Sequence, residues 1–512
     1  MTKPLIAVRM ALGTVLLVLA VACSTVASDT VTTDTTPETD TTPETTTTST
    51  DTTTTATTTT DTATSETTGP AIAGGSSAGD PLFPGLGNGG YDVIHYDLSL
   101  DTRPIGLTAT AWITIEPFER LDRFNLDLVG LTVDSVTVDG RDATFEHVGR
   151  ELTIDPPFDL EPGTAASVFV AYHGEPILID EPAGPIGLGW YERPWGTFVL
   201  SEPLGAATWF PGNDHPQDKA TFRIAATVAP GDAAVGPGIE TSRTDAPGGT
   251  TVVWEMRQPM ATYLASLVTG QFDLVTEAPV NGVVIRHALP RGRSDLVEQL
   301  RPTADLLDTF AEWFGPYPFD SYGVAVVTMS MNAAPALENQ TLSIFTSDLF
   351  DQVPEEFTVR TQAHELAHQW FGNHVSPARW DDIWLNEGFA TWVEYHWLET
   401  RWAEERGETA EGIARYQDRT YGPLKGVQPA DLFDTRMYNR GAMTLEALRR
   451  TIGHEPFLAL LREWLRRHGG SSATTDDFLT LVEQNAGSEA ASLVRMWVFD
   501  EAMPRLPPAL GD

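Results

Sequence analysis

Cysteine is almost absent from this 512-residue chain: Cys23 is the only one, so no internal disulfide and no Cys-based metal site can form. Any metal must sit on His, Asp or Glu. Lysine is nearly as scarce, at Lys3, Lys219 and Lys425 alone, and 32 basic residues face 71 acidic ones for a net charge of −39. A surface this acidic repels phosphate backbones, which argues against nucleic acid as the main partner. The apolar run Met10–Ala22 has 13 residues, too few to span a bilayer as a helix. With 41% hydrophobic residues the chain can still bury a large core, and its length implies two or more domains.

That short apolar run, preceded by Lys3 and Arg9 and followed by Ala20-Val21-Ala22-Cys23, reads as a signal peptide over residues 1–23 with a lipobox-like end. Cys23 is the expected lipidation site, anchoring the mature protein to the membrane outside the cytoplasm. Ordinary cleavage and secretion is the alternative, since Ala20-Val21-Ala22 also meets the small-x-small rule. Residues 24–82 follow as a linker: 25 of the 40 residues from Asp29 to Thr68 are threonine, with no basic residue among them. Such a segment lacks the apolar surface that offsets ordering entropy and is expected to be disordered.

Folded structure is expected from near Tyr91. Tyr91–Leu100, Ala109–Ile115, Leu131–Val138 and Thr251–Glu255 alternate apolar with polar residues, as half-buried strands do, and Asp139-Gly140 is a hairpin turn. Residues 83–285 are therefore assigned to a β domain. From Ser294 the period becomes helical, with Leu296, Leu300, Ala304, Leu307, Phe310, Ala311 and Phe314 on one stripe. A strand-like patch, Gly323–Thr328, and further helices at Phe457–Arg467 and Asp476–Gln484 follow, so residues 286–512 form a mainly α domain. The fold class is β followed by α, with no solenoid repeat.

The second domain carries the chemistry. His364-Glu365-Leu366-Ala367-His368 lies in a segment that opens with Pro354-Glu355-Glu356 and meets a natural stop at Gly372. On a helix the two histidines are one turn apart and can share a metal ion, with Glu365 close enough to take a proton from a water on that metal. Eighteen residues after His368 comes Glu387, and two His plus one Glu leave a fourth tetrahedral position open, the catalytic rather than the structural zinc pattern. Glu394 returns to the same helical face as Glu387; it either orients a ligand histidine or is a solvated helix glutamate.

The chain resembles the gluzincin aminopeptidases, the family of aminopeptidase N and the leukotriene hydrolase. His364-Glu365-xx-His368-x18-Glu387 has that family's spacing. Ala334-Pro335-Ala336-Leu337-Glu338-Asn339-Gln340 stands where the family has its Gly-Ala-Met-Glu-Asn motif. Ser201-Glu202-Pro203, Trp209 to Pro216 and Tyr438-Asn439-Arg440-Gly441 match three further segments. The resemblance spans Tyr91 to Pro507 and implies a saddle-like β domain, a thermolysin-like catalytic domain and one zinc ion per chain.

By that resemblance His364, His368 and Glu387 bind zinc. Glu365 is general base and then acid toward a zinc-activated water, and Tyr438 supports the oxyanion together with zinc. Glu338 and Glu202, with Asn339 and Ala336 beside them, bind the free α-ammonium of a peptide substrate. Two departures stand out. Pro335 and Leu337 replace the usual Gly and Met, and Pro removes a backbone donor. The sequence also ends at Asp512, where larger relatives continue into further domains, which implies a more open site. A thermolysin-like zinc endopeptidase, an epoxide-hydrolysing relative and a non-catalytic surface-binding protein are the alternatives.

Overall fold

Burial along the first long strand explains how the β layer forms. In Tyr91–Asp101 the buried residues are Tyr91, Val93, Tyr96, Leu98 and Leu100. The phase slips between Val93 and Tyr96 because Ile94 bulges out of the pairing with Leu107–Pro117, and it stays 40% exposed. The computed structural model describes residues 70–103, 105–184, 186–329, 336–406 and 422–508, the side chains of 402–406 excepted. The expected signal peptide, Cys23, the linker as far as residue 69, Ala334 and Pro335 lie outside the described residues.

Tyr91–Asp101 is central to an eight-stranded sheet. Its order is Ile239–Ala246, Gly249–Ala261, Lys219–Val228, Tyr91–Asp101, Leu107–Pro117, Ala166–Gly174, Thr132–Val138 and Arg141–Asp142. Asp139-Gly140 closes its last hairpin with φ of 49° and 73°, as a tight primed turn requires. A five-stranded sheet containing Gly187–Arg193 and Gly196–Leu200 and a four-stranded sheet around Leu121–Asp127 complete the β part.

Two boundaries differ from the sequence reading. The chain is already strand-paired at Ile72, ahead of residue 83 and of Tyr91. Ile72 and Ala73 pair with Leu121–Asp127, and the Asp80 carboxylate accepts from the backbone N–H groups of Leu82, Phe83 and Trp380. Polar composition hid this, because the segment is held by backbone pairing and the buried Asp80 rather than by an apolar stripe. The expected boundary after residue 285 falls inside the strand Val284–Pro290. That strand pairs antiparallel with Phe272–Thr276 and parallel with Val324–Val327, so the catalytic part's own sheet begins at Phe272. Ser343–Thr346 continues this sheet, and its antiparallel edge strand is Ala336–Leu337.

Among the described residues the α-helices are α1 (Leu296–Leu300), α2 (Pro302–Phe314), α3 (Asp348–Asp351), α4 (Glu355–Ala367), α5 (Trp384–Arg406), α6 (Thr435–Ile452), α7 (His454–His468), α8 (Thr475–Ala486) and α9 (Ser488–Phe499). The stripe expected from Leu296 to Phe314 is present but divided at Pro302, whose missing N–H suits it to start a helix. Helix α4 ends at Ala367 with His368 as its cap, four residues before Gly372. None of the described helices is long and apolar enough to cross a membrane.

Candidate active site

Helix α4 buries Val359, Gln362, Ala363, Leu366 and Ala367 along one face, so its last turn is fixed against the core. That turn presents His364 and His368. Glu387 comes from the first turn of α5, which packs along α4. His364 Nε2 lies 3.1 Å from His368 Nε2, and Glu387 Oε2 lies 3.3 Å and 3.5 Å from those two nitrogens. Ligand bonds of about 2.1 Å at tetrahedral angles would hold ligand atoms about 3.4 Å apart, so this triangle fits a zinc ion.

The outer atoms make the same case. His368 Nδ1 donates to the Phe371 carbonyl at 3.2 Å, and His364 Nδ1 faces Glu394 Oε2 at 3.4 Å. With each Nδ1 engaged outward, both Nε2 atoms point at one another and at the Glu387 carboxylate, an arrangement that a bound cation bridges. Burial pushes the His364 pKa down, but Glu387 and Glu394 outweigh it and raise it well above the ordinary value. Burial likewise pushes Glu387 up, and the two histidines overcome it, leaving its carboxyl at about 2. Glu394 is a neighbour of His364 rather than a solvated glutamate. It is held in turn by Arg360, whose Nε donates at 2.6 Å.

Glu365 lies beside the histidines and is only 6% exposed. Burial raises its pKa to about 8, with the histidines opposing. Tyr438 reaches the site through a close helix crossing. A Cβ on either Gly388 of α5 or Gly441 of α6 would lie 2.7 Å from the other glycine's Cα, so only glycine permits this approach. One turn before Gly441, the Tyr438 ring lies 6.0 Å from the His364 ring at 23°. Burial, then nearby carboxylates headed by Glu387, keep its phenol protonated.

Glu202 and Glu338 come from separate parts of the chain and converge. Oxygens of Glu202, Glu338 and Glu387 lie within 4.8 Å of one another. Glu202 Oε1 and Glu338 Oε1 are buried with no hydrogen-bond partner among the described residues; the latter is 3.9 Å from His368 Nδ1. Burial and mutual repulsion push Glu202 well above the carboxylate range. Two buried carboxylates short of donors form a receptor for a cation. Glu338 follows the edge strand that carries Ala336. Its carbonyl accepts from Gln369 Nε2 at 3.0 Å and Asn373 Nδ2 at 2.7 Å, which ties the carboxylate pair to the end of α4. Asn339 sits behind, donating to the Leu264 carbonyl at 3.3 Å.

Sequence reasoning missed Arg360, Gln369, Asn373 and the Gly388–Gly441 pair. It also missed Lys219, whose ammonium donates to the Asn373 and His374 carbonyls at 2.7 Å and 3.1 Å. Only a glycine at the same helical depth as Glu387 and another after Tyr438 gave any signal for the crossing.

The Peptidase family M1 domain profile matches residues 298–497. Aminopeptidase M1 of Arabidopsis thaliana is 30% identical over 332 residues, covering 61% of this chain and 37% of that one. Aminopeptidase 2 of Candida albicans is 24% identical over 442 residues, 80% of this chain and 47% of that one, so the chain spans less than half the length of both. The crystal structure of an M1 zinc metallopeptidase from Deinococcus radiodurans is 33% identical, with a TM-score of 0.78, covering 85% of this chain and all of that one. A mutant of the Deinococcus enzyme, described as bound to a Tyr-Ser-Ala substrate, matches with a TM-score of 0.77 over 84% of this chain and 99% of its own length.

Proposed function

The chain belongs to the M1 peptidase family, and from that premise we propose that it is a zinc-dependent aminopeptidase removing N-terminal residues from peptides. The observation that carries the reading is the convergence of Glu202 and Glu338, buried and short of donors, within 4.8 Å of the zinc ligand Glu387. A peptide's α-ammonium supplies the missing donors, and a blocked N-terminus does not. An endopeptidase has no use for that pair.

His364, His368 and Glu387 would hold zinc, which when bound supplies Lewis acidity toward the scissile carbonyl and acidifies water. Glu365 takes a proton from the attacking water and returns it to the leaving amine; its pKa of about 8 places it in the range for both acts. Tyr438 donates a hydrogen bond to the oxyanion, a role its protonated phenol suits. Glu202 and Glu338 fix the ammonium and so set which peptide bond is presented. Glu394 accepts from His364 Nδ1 and fixes that ring's tautomer.

Metal dependence tests the reading. A chelator such as phenanthroline abolishes release of the N-terminal residue and added zinc restores it. Glu365→Gln keeps its zinc by elemental analysis yet loses roughly 10²–10⁴-fold in kcat. Full turnover by metal-free protein contradicts the mechanism. The proposal includes the expected anchor: Cys23→Ala releases the protein to the medium, and a lipid-free wild type on mass spectrometry refutes that part.

A further inference from the structure

Between the strands Gly249–Ala261 and Val268–Gly270 the chain makes one short turn, Thr262–Leu264, fully buried and with no ionisable carboxylate or imidazole of its own. Three lines of contact leave it. The Tyr263 hydroxyl donates to the Gly372 carbonyl at 3.3 Å and accepts from Asn386 Nδ2 at 3.3 Å. The Leu264 carbonyl accepts from the Gln340 N–H at 3.2 Å and from Asn339 Nδ2 at 3.3 Å. Thr262 Oγ1 donates to Asp214 Oδ1 at 2.8 Å; the other Asp214 oxygen binds Arg150, whose guanidinium reaches the Leu204 carbonyl at 3.4 Å.

Each line ends beside a site residue. Asn386 precedes the ligand Glu387, and Gly372 packs so closely on His368 that a Cβ there would meet its Nδ1 at 3.3 Å. Asn339 follows Glu338. Leu204 lies two residues after Glu202, in a turn closed by the Gly205 N–H to the Ser201 carbonyl at 2.6 Å. No other short segment described above touches supports of both the metal triangle and both amine-binding carboxylates. Reacting groups misplaced by about 1 Å can lose 10²-fold in rate, so the spacing between these two half-sites needs a fixed reference.

We propose that Thr262–Leu264 is that reference: a positioning turn whose Tyr263 arm sets the zinc ligands and whose Thr262 arm sets the Glu202 side of the amine site. The proposal rests on the aminopeptidase reading. Tyr263 touches neither metal nor substrate on this account; it acts through Asn386 and Gly372. Its ring packs edge-on to Trp380 at 5.0 Å, a contact that Tyr263→Phe keeps while removing only the hydroxyl.

The test separates the two arms in the full-length protein. Zinc affinity, read by competition with a chromophoric chelator and so independent of turnover, weakens roughly tenfold in Tyr263→Phe, as loss of a ligand's support does. The kcat/KM ratio of a free-amine peptide to its N-acetylated twin is unchanged in that variant once zinc is saturating. Thr262→Val does the reverse: the ratio falls roughly tenfold at wild-type zinc affinity, through a raised KM for the free-amine peptide, and Thr262→Ser restores it. Asn386→Ser, which removes the same contact from the other side, reproduces the zinc loss should Tyr263→Phe fail to fold. Variants that change both properties in parallel with a lowered Tm, or that change neither, overturn the proposal. Wild-type protein that binds no zinc or shows no free-amine preference overturns the aminopeptidase reading instead.

Discussion

His364 shows how much a single side chain's outer atom contributes to a metal site. Its Nδ1 faces Glu394, and Glu394 is clamped by Arg360, so the ring's orientation is set before any ion arrives. Replacing Glu394 with Gln keeps the shape but weakens the acceptor. The expected result is zinc affinity lower by roughly 10–100-fold at unchanged secondary structure, measured by chelator competition and circular dichroism. A second residue reports on acid stability. Burial, helped by Lys219, lowers the His374 pKa from 6.5 to about 4. The unfolded chain therefore binds a proton here below 6.5 that the folded chain refuses until about 4. Stability from this group is fully present above pH 6.5 and lost as pH falls through that window. His374→Gln should show a smaller drop in Tm between pH 7 and pH 4.5 than wild type; an equal drop assigns the acid loss to other groups. At this scale the ligands were readable in the sequence because helical spacing alone puts His364 and His368 on one face. Arg360, Gln369 and Asn373 were not, because each acts on an atom contributed from far along the chain and leaves no periodic trace.

Helix ends and helix crossings decide where those side chains point. Helix α4 stops at Ala367 rather than at Gly372, and the intervening turn lets His368 Nδ1 meet the Phe371 carbonyl. The sequence pointed to the glycine as the stop. Its φ of +125° and its packing against Asn386 and His368 show instead that it is needed for close approach within the following loop. At the crossing of α5 and α6, Gly441→Ala would drive a methyl group into the Gly388 backbone, and the helices must separate. Overpacking of this kind costs about 1–3 kcal/mol, and Tyr438, one turn away, moves with α6. The expected outcome is a lower Tm with kcat reduced more than zinc affinity; unchanged kcat dissociates Tyr438's position from the crossing. Strand alternation was legible in Tyr91–Leu100, Ala109–Ile115, Leu131–Val138 and Thr251–Glu255, which all fall in the eight-stranded sheet, and the bulge at Ile94 was not, since a single extra residue shifts the phase without altering composition.

Across the whole molecule, the β part does more than cover the catalytic part. Glu202 enters the site from it, Lys219 holds the loop after α4, and Asp80, which faces His215, accepts from the Trp380 N–H. The order of β then α was readable from the change of hydrophobic period. The place where one passes into the other was not, because Phe272–Thr276 and Val284–Pro290 look like any other alternating strands while pairing into the later sheet. Convergence of Glu202 with Glu338 could be expected only from family resemblance, since no local pattern links residues so far apart. It is also the feature on which the aminopeptidase assignment depends. The most direct test is the kcat/KM ratio between a peptide with a free N-terminus and its N-acetylated twin, for wild type and Glu338→Gln, both zinc-loaded. A charge-assisted hydrogen bond of about 1.5–3 kcal/mol implies that the ratio strongly favours the free amine and shrinks roughly 10–100-fold in the variant. Equal rates on both peptides in wild type, or a ratio untouched by Glu338→Gln, would contradict recognition of the ammonium by this pair.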